Sequence, residues 1–172
     1  MIDLLASSSL PHNMMPLLHH DHQYLFRLTS TFGWDDAISL CDYLVQVIES
    51  VTSTDNNKSE EDYSSADYFN DSFKKQPSTL EQWLRDAYNQ LFHRDQWGNT
   101  PLHAASYVKP PVEVIDALFR LGRSLWEHGS GSSYNVQCPI WETQSKDGST
   151  PFLVSFALID APIPVQIYML VC

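Results

Sequence analysis

The residues of this chain that could do chemistry are histidines, aspartates and serines, and their spacing decides which reactions are open to them. The tripeptide His-Arg-Asp at 93–95 occurs in the catalytic loop of protein kinases, where an asparagine follows the aspartate by five residues. Here Thr100 takes that position, Asn99 lies one residue short of it, and no glycine-rich nucleotide loop precedes the tripeptide. Serines are plentiful, but none lies in a Gly-x-Ser-x-Gly motif. We therefore expect no enzymatic activity.

A histidine-rich segment near the N-terminus is the second candidate for chemistry. Residues 19–22 read His-His-Asp-His, and His12 lies upstream. Imidazole and carboxylate groups are suitable ligands for a transition metal. However, adjacent ligands in a polar terminal stretch rarely build a closed tetrahedral site. We therefore expect no bound metal, and no motif in the chain indicates a cofactor.

A turn glycine followed at once by a helix start occurs twice in the chain. In the first copy, residues 95–105 read DQWGNTPLHAA. Gly98 can take a positive φ in a tight turn, Thr100 is suited to cap the next helix, and Pro101 is suited to its first position. In the second copy, residues 146–153 read KDGSTPFL, with the same Gly-x-Thr-Pro spacing. The sequence therefore predicts two turns that each lead into a helix.

These residues resemble the opening of an ankyrin repeat, in which Thr-Pro-Leu-His is followed by small residues. The resemblance implies an array of helix-turn-helix units introduced by short hairpin fingers. It also implies that His103 is a structural histidine, because its spacing from Thr100 allows a hydrogen bond across the start of the helix. The second copy diverges from the family, since Leu153 stands where the motif histidine would be.

Prolines and an apolar stripe predict the rest of the first repeat. Pro110 and Pro111 must break its first helix, because the residue before each proline is pushed out of the α region. A second helix follows, with apolar residues at three- and four-residue steps, and we expect Gly122 to end it as a C-terminal cap. The second copy starts a similar helix near Val165 but has no closing glycine. Since at least about three stacked units are usually needed, the sequence is either a fragment of a longer array or has this end covered by a partner.

Composition divides the chain into a helical N-terminal part, an acidic spacer and the repeats. Residues 35–51 carry an apolar stripe wide enough to pack on two sides, as in a diverged repeat or in a small separate domain formed with residues 24–28. The spacer has few aliphatic side chains to offset the entropy of ordering, which favours a disordered linker or a long loop. We thus predict an all-α fold with an N-terminal helical segment 1–51, an acidic disordered linker or loop 52–79 and an ankyrin-like repeat region 80–172. The repeat region is expected to consist of a capping helix 79–93, a repeat 95–122, an insertion 123–144 and a second repeat 145–172.

Charge and cysteine usage restrict the partners and the compartment. The net charge of −11 at pH 7 argues against nucleic-acid phosphate as the main ligand. The three cysteines, Cys41, Cys138 and Cys172, are widely spaced and form no Cys-x-x-Cys pair, which is typical of reduced thiols. Residues 1–18 have neither the basic region nor the unbroken apolar run of a secretory signal. We therefore expect a cytoplasmic or nuclear protein.

The resemblance to ankyrin repeats implies a scaffold that binds another protein through its fingers and inner helices. The residues expected to contact the partner are Gln96, Trp97, Asn99, Tyr107, Val108, Lys146 and Ser149. Trp97 is the expected main anchor, unless it folds back onto the helix that carries Trp83. The alternative is a tail-anchored membrane protein whose apolar residues 151–172 form the anchor. Asp160, Pro162 and Pro164 would be costly in lipid, so we expect no membrane span.

Overall fold

All the regular secondary structure that the computed structural model describes, in residues 21–55, 79–129 and 140–157, is helical. This confirms the all-α prediction. The α-helices are α1 (Tyr24–Ser30), α2 (Trp34–Asp55), α3 (Thr79–Leu91), α4 (Pro101–Tyr107), α5 (Val112–Gly129) and α6 (Pro151–Ala157), and a 3₁₀ turn (Ile140–Glu142) precedes α6.

Helix starts follow the local sequence closely. Thr100 is the N-cap of α4 and Pro101 its first residue, as the Thr-Pro pair predicts. Asp35 and Asp36 lie in the first turn of α2, where carboxylates interact favourably with the helix dipole. The helix α4 ends at Tyr107, three residues before Pro110. The predicted break between α4 and α5 is therefore confirmed.

The prediction that Gly122 ends the second helix of the first repeat is wrong. Helix α5 continues through Gly122 to Gly129, so it also takes in the first residues of the predicted insertion 123–144. Gly122 is buried, and a Cβ placed on it would lie 3.0 Å from Cγ2 of Ile140. Because Gly122 has no side chain, the 3₁₀ turn can pack closely against the middle of α5. Residues 130–139, the centre of the predicted insertion, lie outside the described residues.

One apolar core joins the N-terminal helices to the rest of the described chain. Helix α2 packs along α5 in the most extensive helix–helix contact, and α3 contacts both α2 and α5. Helix α4 contacts α1 and α6. Because buried residues from all these regions except α6 belong to a single cluster, residues 24–55 do not form a separate packed unit. The large, fully buried side chains are Leu25, Leu40, Leu44, Ile48, Leu91, Leu102, His103, Ile115, Leu118, Leu121 and Leu125.

The start of α1 is held in place by a buried side chain of α3. The amide of Gln90 is fully buried; its Oε1 accepts a hydrogen bond from the backbone N–H of Leu25 at 3.0 Å, and its Nε2 donates one to the carbonyl of Asp21 at 2.7 Å. Further along α1, the ring of Phe26 packs edge-on against His93, which follows α3. These contacts fix α1 beside the turn that begins at Asp95.

No described helix is both long enough and apolar enough to cross a membrane. Of the alternative anchor segment 151–172, the structure describes the seven-residue helix Pro151–Ala157. The remaining residues, 158–172, lie outside the described part of the chain, as do the start of the predicted second helix at Val165 and the capping-box residue Ser78.

Candidate functional site

Two turns with the same backbone geometry form the frame of the candidate site. In the first finger, residues 95–99, the N–H of Asp95 donates to the carbonyl of Asn99 at 3.0 Å and that of Gly98 donates to the carbonyl of Asp95 at 3.0 Å. In the second finger, residues 145–149, the equivalent hydrogen bonds measure 2.9 and 3.0 Å. The glycines have φ angles of 85° and 84°, as the motif predicts. The repeated sequence therefore gives a repeated structure at these turns.

An aspartate stabilises each finger, but from a different position. Oδ1 of Asp95 accepts the N–H groups of Trp97 at 2.9 Å and Asn99 at 2.8 Å, and Oδ2 accepts the side-chain amide of Asn99 at 3.1 Å. In the second finger, Asp147 accepts the hydroxyl of Ser145 and the N–H of Ser149. The hydrogen bond from Ser145, followed by those from Ser149, lowers the pKa of the Asp147 carboxyl below its ordinary value. Asp95, the aspartate of the kinase-like tripeptide, is thus the organising acceptor of the first finger.

The two fingers are joined side by side. The backbone N–H of Lys146 donates to the carbonyl of Trp97 at 2.9 Å. The guanidinium of Arg94 bridges the same junction, since Nη1 donates to the carbonyls of Gly98 at 3.0 Å and Gln144 at 2.6 Å. A Cβ on Gly98 would lie 2.9 Å from the nitrogen of Lys146. Gly98 therefore permits both the turn and the close contact between the fingers.

His103 connects the start of α4 to the second finger. Its Nδ1 accepts the N–H of Thr100 at 3.1 Å and lies 2.9 Å from the Thr100 hydroxyl oxygen, while its Nε2 lies 3.0 Å from the carbonyl oxygen of Ser149. Because Nδ1 accepts a backbone N–H, the proton of the neutral ring belongs on Nε2, which donates to Ser149. Burial of the ring lowers the pKa of His103 below 6.5, although the hydrogen bond to Ser149 partly opposes this shift.

Three of the residues expected to bind a partner lie together between two open grooves. Trp97, Asn99 and Tyr107 line both grooves. Trp97 is 63% exposed and Tyr107 is 47% exposed, so the indole does not fold back into the core. The α1 groove, of about 380 Å³, is lined by these three and by Phe26, Ser30, Asp95, Ala104 and Val108. The finger groove, of about 290 Å³, is lined by these three and by Ser145, Lys146 and Asp147.

The other expected residues have different positions. Val108 lines the α1 groove and Lys146 lines the finger groove, whereas Gln96 is exposed and lines neither. Ser149 is half-buried and lines neither groove, and its carbonyl accepts hydrogen bonds from the second finger and from His103. Sequence reasoning did not find the contribution of α1, because a helix far earlier in the chain gives no local signal that it will lie beside the first finger.

Of the histidine-rich segment 19–22, the structure describes Asp21 and His22. No three His, Cys, Asp or Glu side chains of the described ranges lie close enough together to hold a metal ion. Asp21, the carboxylate of the segment, pairs with Arg27 at 2.5 Å and accepts the N–H of Gln23. His12, His19 and His20 lie outside the described residues.

Comparison with known proteins gives no match to a protein-family model, to a curated protein or to a solved structure. A function for the chain can therefore be proposed only from its own geometry. The features available for that purpose are the two joined fingers and the two grooves that Trp97 separates.

Proposed function

We propose that this chain is a non-enzymatic protein-recognition scaffold of the ankyrin-repeat type, which binds a partner protein at the α1 groove and the finger groove. The observation that carries the proposal is the position of Trp97, which is 63% exposed on the first finger and lines both grooves. A large aromatic side chain in such a position offers extensive contact area to a partner.

The repeat type is supported by the recurrence of one arrangement in two places. Each finger contains a glycine with positive φ, and each is followed by a helix whose first residue is a proline, Pro101 or Pro151. The two helices contact each other, and the two fingers share the hydrogen bond from Lys146 to Trp97. Side-by-side stacking of equivalent units is how repeat proteins build an extended binding surface.

A recognition role is supported by the rigidity of the backbone that carries Trp97. Its N–H is held by the carboxylate of Asp95 and its carbonyl by the N–H of Lys146. A residue fixed in this way loses little backbone entropy when a partner binds, so most of the contact energy of the indole remains available for affinity. Tyr107, which is 47% exposed and lines the same two grooves, adds a second aromatic surface.

Selection of peptides from a displayed random library on the immobilised protein tests this proposal. We expect the selected peptides to bind the Trp97→Ala variant at least about tenfold more weakly than the unaltered chain, with an unchanged melting temperature. Trp126→Ala is the matched control, because Trp126 is also half-exposed, at 51%, but lines neither groove. Peptides that bind both variants equally well, or a library that yields no binder, would contradict the proposal.

A further inference from the structure

The lining of the α1 groove combines aromatic rings, hydrogen-bond acceptors and one carboxylate. We propose that this groove receives an arginine side chain from a basic peptide segment of the partner, an inference that rests on the proposed protein-binding function. Three properties of the lining residues support it, namely their aromatic surfaces, their unused hydrogen-bonding capacity and their charge.

Aromatic rings from three separate elements line the α1 groove. Phe26 comes from α1, Trp97 from the first finger and Tyr107 from the last position of α4. The face of an aromatic ring attracts a cation, and the flat guanidinium group of arginine can also stack on it. A compact lysine ammonium has no flat face for stacking, so these rings favour arginine over lysine.

Three polar side chains of the groove, Ser30, Asp95 and Asn99, keep acceptor atoms available. The hydroxyl of Ser30 donates to the carbonyl of Phe26 at 2.7 Å, which leaves its oxygen lone pairs to accept. The side-chain nitrogen of Asn99 donates to Asp95, so the amide is oriented with Oδ1 directed away from that carboxylate. Asp95 accepts three hydrogen bonds of about four that a carboxylate can accept. A ligand with several N–H donors matches these acceptors.

The charge of the groove also favours a cation. The three hydrogen bonds to Asp95 come from neutral N–H groups, and no cationic side chain of the described residues forms an ion pair with it. Nη1 of the neighbouring Arg94 is engaged by the carbonyls of Gly98 and Gln144. The chain as a whole carries a net charge of −11. A basic segment is therefore attracted to the chain as a whole and an acidic one is repelled, while Asp95 is the charged residue that lines the groove itself.

The volume of the groove fits one long side chain and part of its neighbours. At about 380 Å³ it falls in the lower part of the range of ligand pockets, roughly 300 to 1,000 Å³. The long aliphatic stem of arginine would lie along Ala104 and Val108, which are the apolar non-aromatic residues of the lining.

Fluorescence anisotropy with four pools of labelled nine-residue peptides tests the inference. Each pool has random flanking positions and a fixed central residue, which is arginine, lysine, glutamate or citrulline, the neutral analogue of arginine. We expect the arginine pool to bind most tightly and the citrulline pool about tenfold more weakly. Asp95→Asn should reduce this preference for arginine, whereas Glu113→Gln, the same charge change at an exposed position in the first turn of α5, should leave it intact.

The carboxylate of Asp95 also organises the first finger, so Asp95→Asn changes both the charge and the local structure. A second variant tests the groove without altering that carboxylate. Phe26→Leu keeps an apolar side chain in the groove but removes the aromatic face, and we expect it to reduce the arginine-to-citrulline ratio severalfold. Equal binding of the arginine and citrulline pools, or preference for glutamate, would overturn the inference. If that binding still depends on Trp97, the proposed recognition function stands without the arginine. If no pool binds, or if Trp97→Ala changes nothing, both proposals fail.

Discussion

The Nε2 atom of His103 lies 3.0 Å from the carbonyl oxygen of Ser149. This hydrogen bond connects α4, the helix that follows the first finger, to Ser149, the last residue of the second finger. Because the ring is fully buried and its Nδ1 is occupied by the N–H of Thr100, His103 can keep both contacts only in its neutral form. Protonation would therefore break the contact with the N–H of Thr100 at the start of α4, whereas Nε2 would still donate to Ser149.

Acidification should weaken the folded state through His103. The pKa of His103 is lowered in the folded chain, chiefly by burial, and lies near 6.5 when the chain is unfolded. The unfolded chain then binds more protons between these two values, so the stabilisation is complete above pH 6.5 and is lost as the pH falls through the folded pKa. Urea unfolding at about pH 7.5 and about pH 5.5 measures this loss. A His103→Gln variant that loses stability just as steeply would show that another group is responsible.

The two turn glycines should differ in their tolerance of alanine. Both have φ near 85°, so either substitution strains the backbone by about 1–2 kcal/mol. At Gly98 the new Cβ would also lie 2.9 Å from the nitrogen of Lys146, whereas at Gly148 no atom lies within 4 Å of it. We expect Gly98→Ala to cost about 1 kcal/mol more than Gly148→Ala, because it disturbs the hydrogen bond from Lys146 to Trp97. Equal losses in urea unfolding would mean that the contact between the fingers contributes nothing measurable.

Replacement of Gln90 by leucine should loosen α1. The substitution removes two buried hydrogen bonds, to the N–H of Leu25 and to the carbonyl of Asp21, and should cost about 1–3 kcal/mol of unfolding free energy. Hydrogen exchange should show faster exchange of the α1 amides than in the unaltered chain. Gln96→Leu is the control, since Gln96 is exposed on the first finger, and it should change stability by no more than about 0.5 kcal/mol. Unchanged protection of α1 in Gln90→Leu would contradict this account.

Gly122 and Ile140 should be energetically coupled. Alanine at position 122 would gain about 1 kcal/mol of helix propensity, but its Cβ would meet Cγ2 of Ile140 at 3.0 Å. We expect Gly122→Ala to be neutral or destabilising in the unaltered chain. In an Ile140→Ala background, where the obstructing side chain is absent, it should stabilise by up to about 1 kcal/mol. Thermal unfolding of the four proteins of this double-mutant cycle gives the coupling, and strict additivity would rule out the packing role of the glycine.

The sequence by itself determined the features that depend on residues close together in the chain. Gly98 and Gly148 have positive φ and Pro101 and Pro151 begin helices, because turn and cap preferences act over a few residues. The hydrogen bond between Thr100 and His103 is local in the same sense, and so is the helix that begins at Thr79. For these elements the backbone conformation follows from the residue types alone.

Only the tertiary structure decided the relations between distant residues. Gly122 is of a residue type that often ends helices, yet it lies inside α5, where Ile140 packs against it. Phe26 and Ser30 line a groove with Trp97 because Gln90 holds the start of α1. The second partner of His103, Ser149, lies 46 residues further along the chain. Such contacts arise from packing and long-range hydrogen bonds, whose free energies a local pattern does not contain.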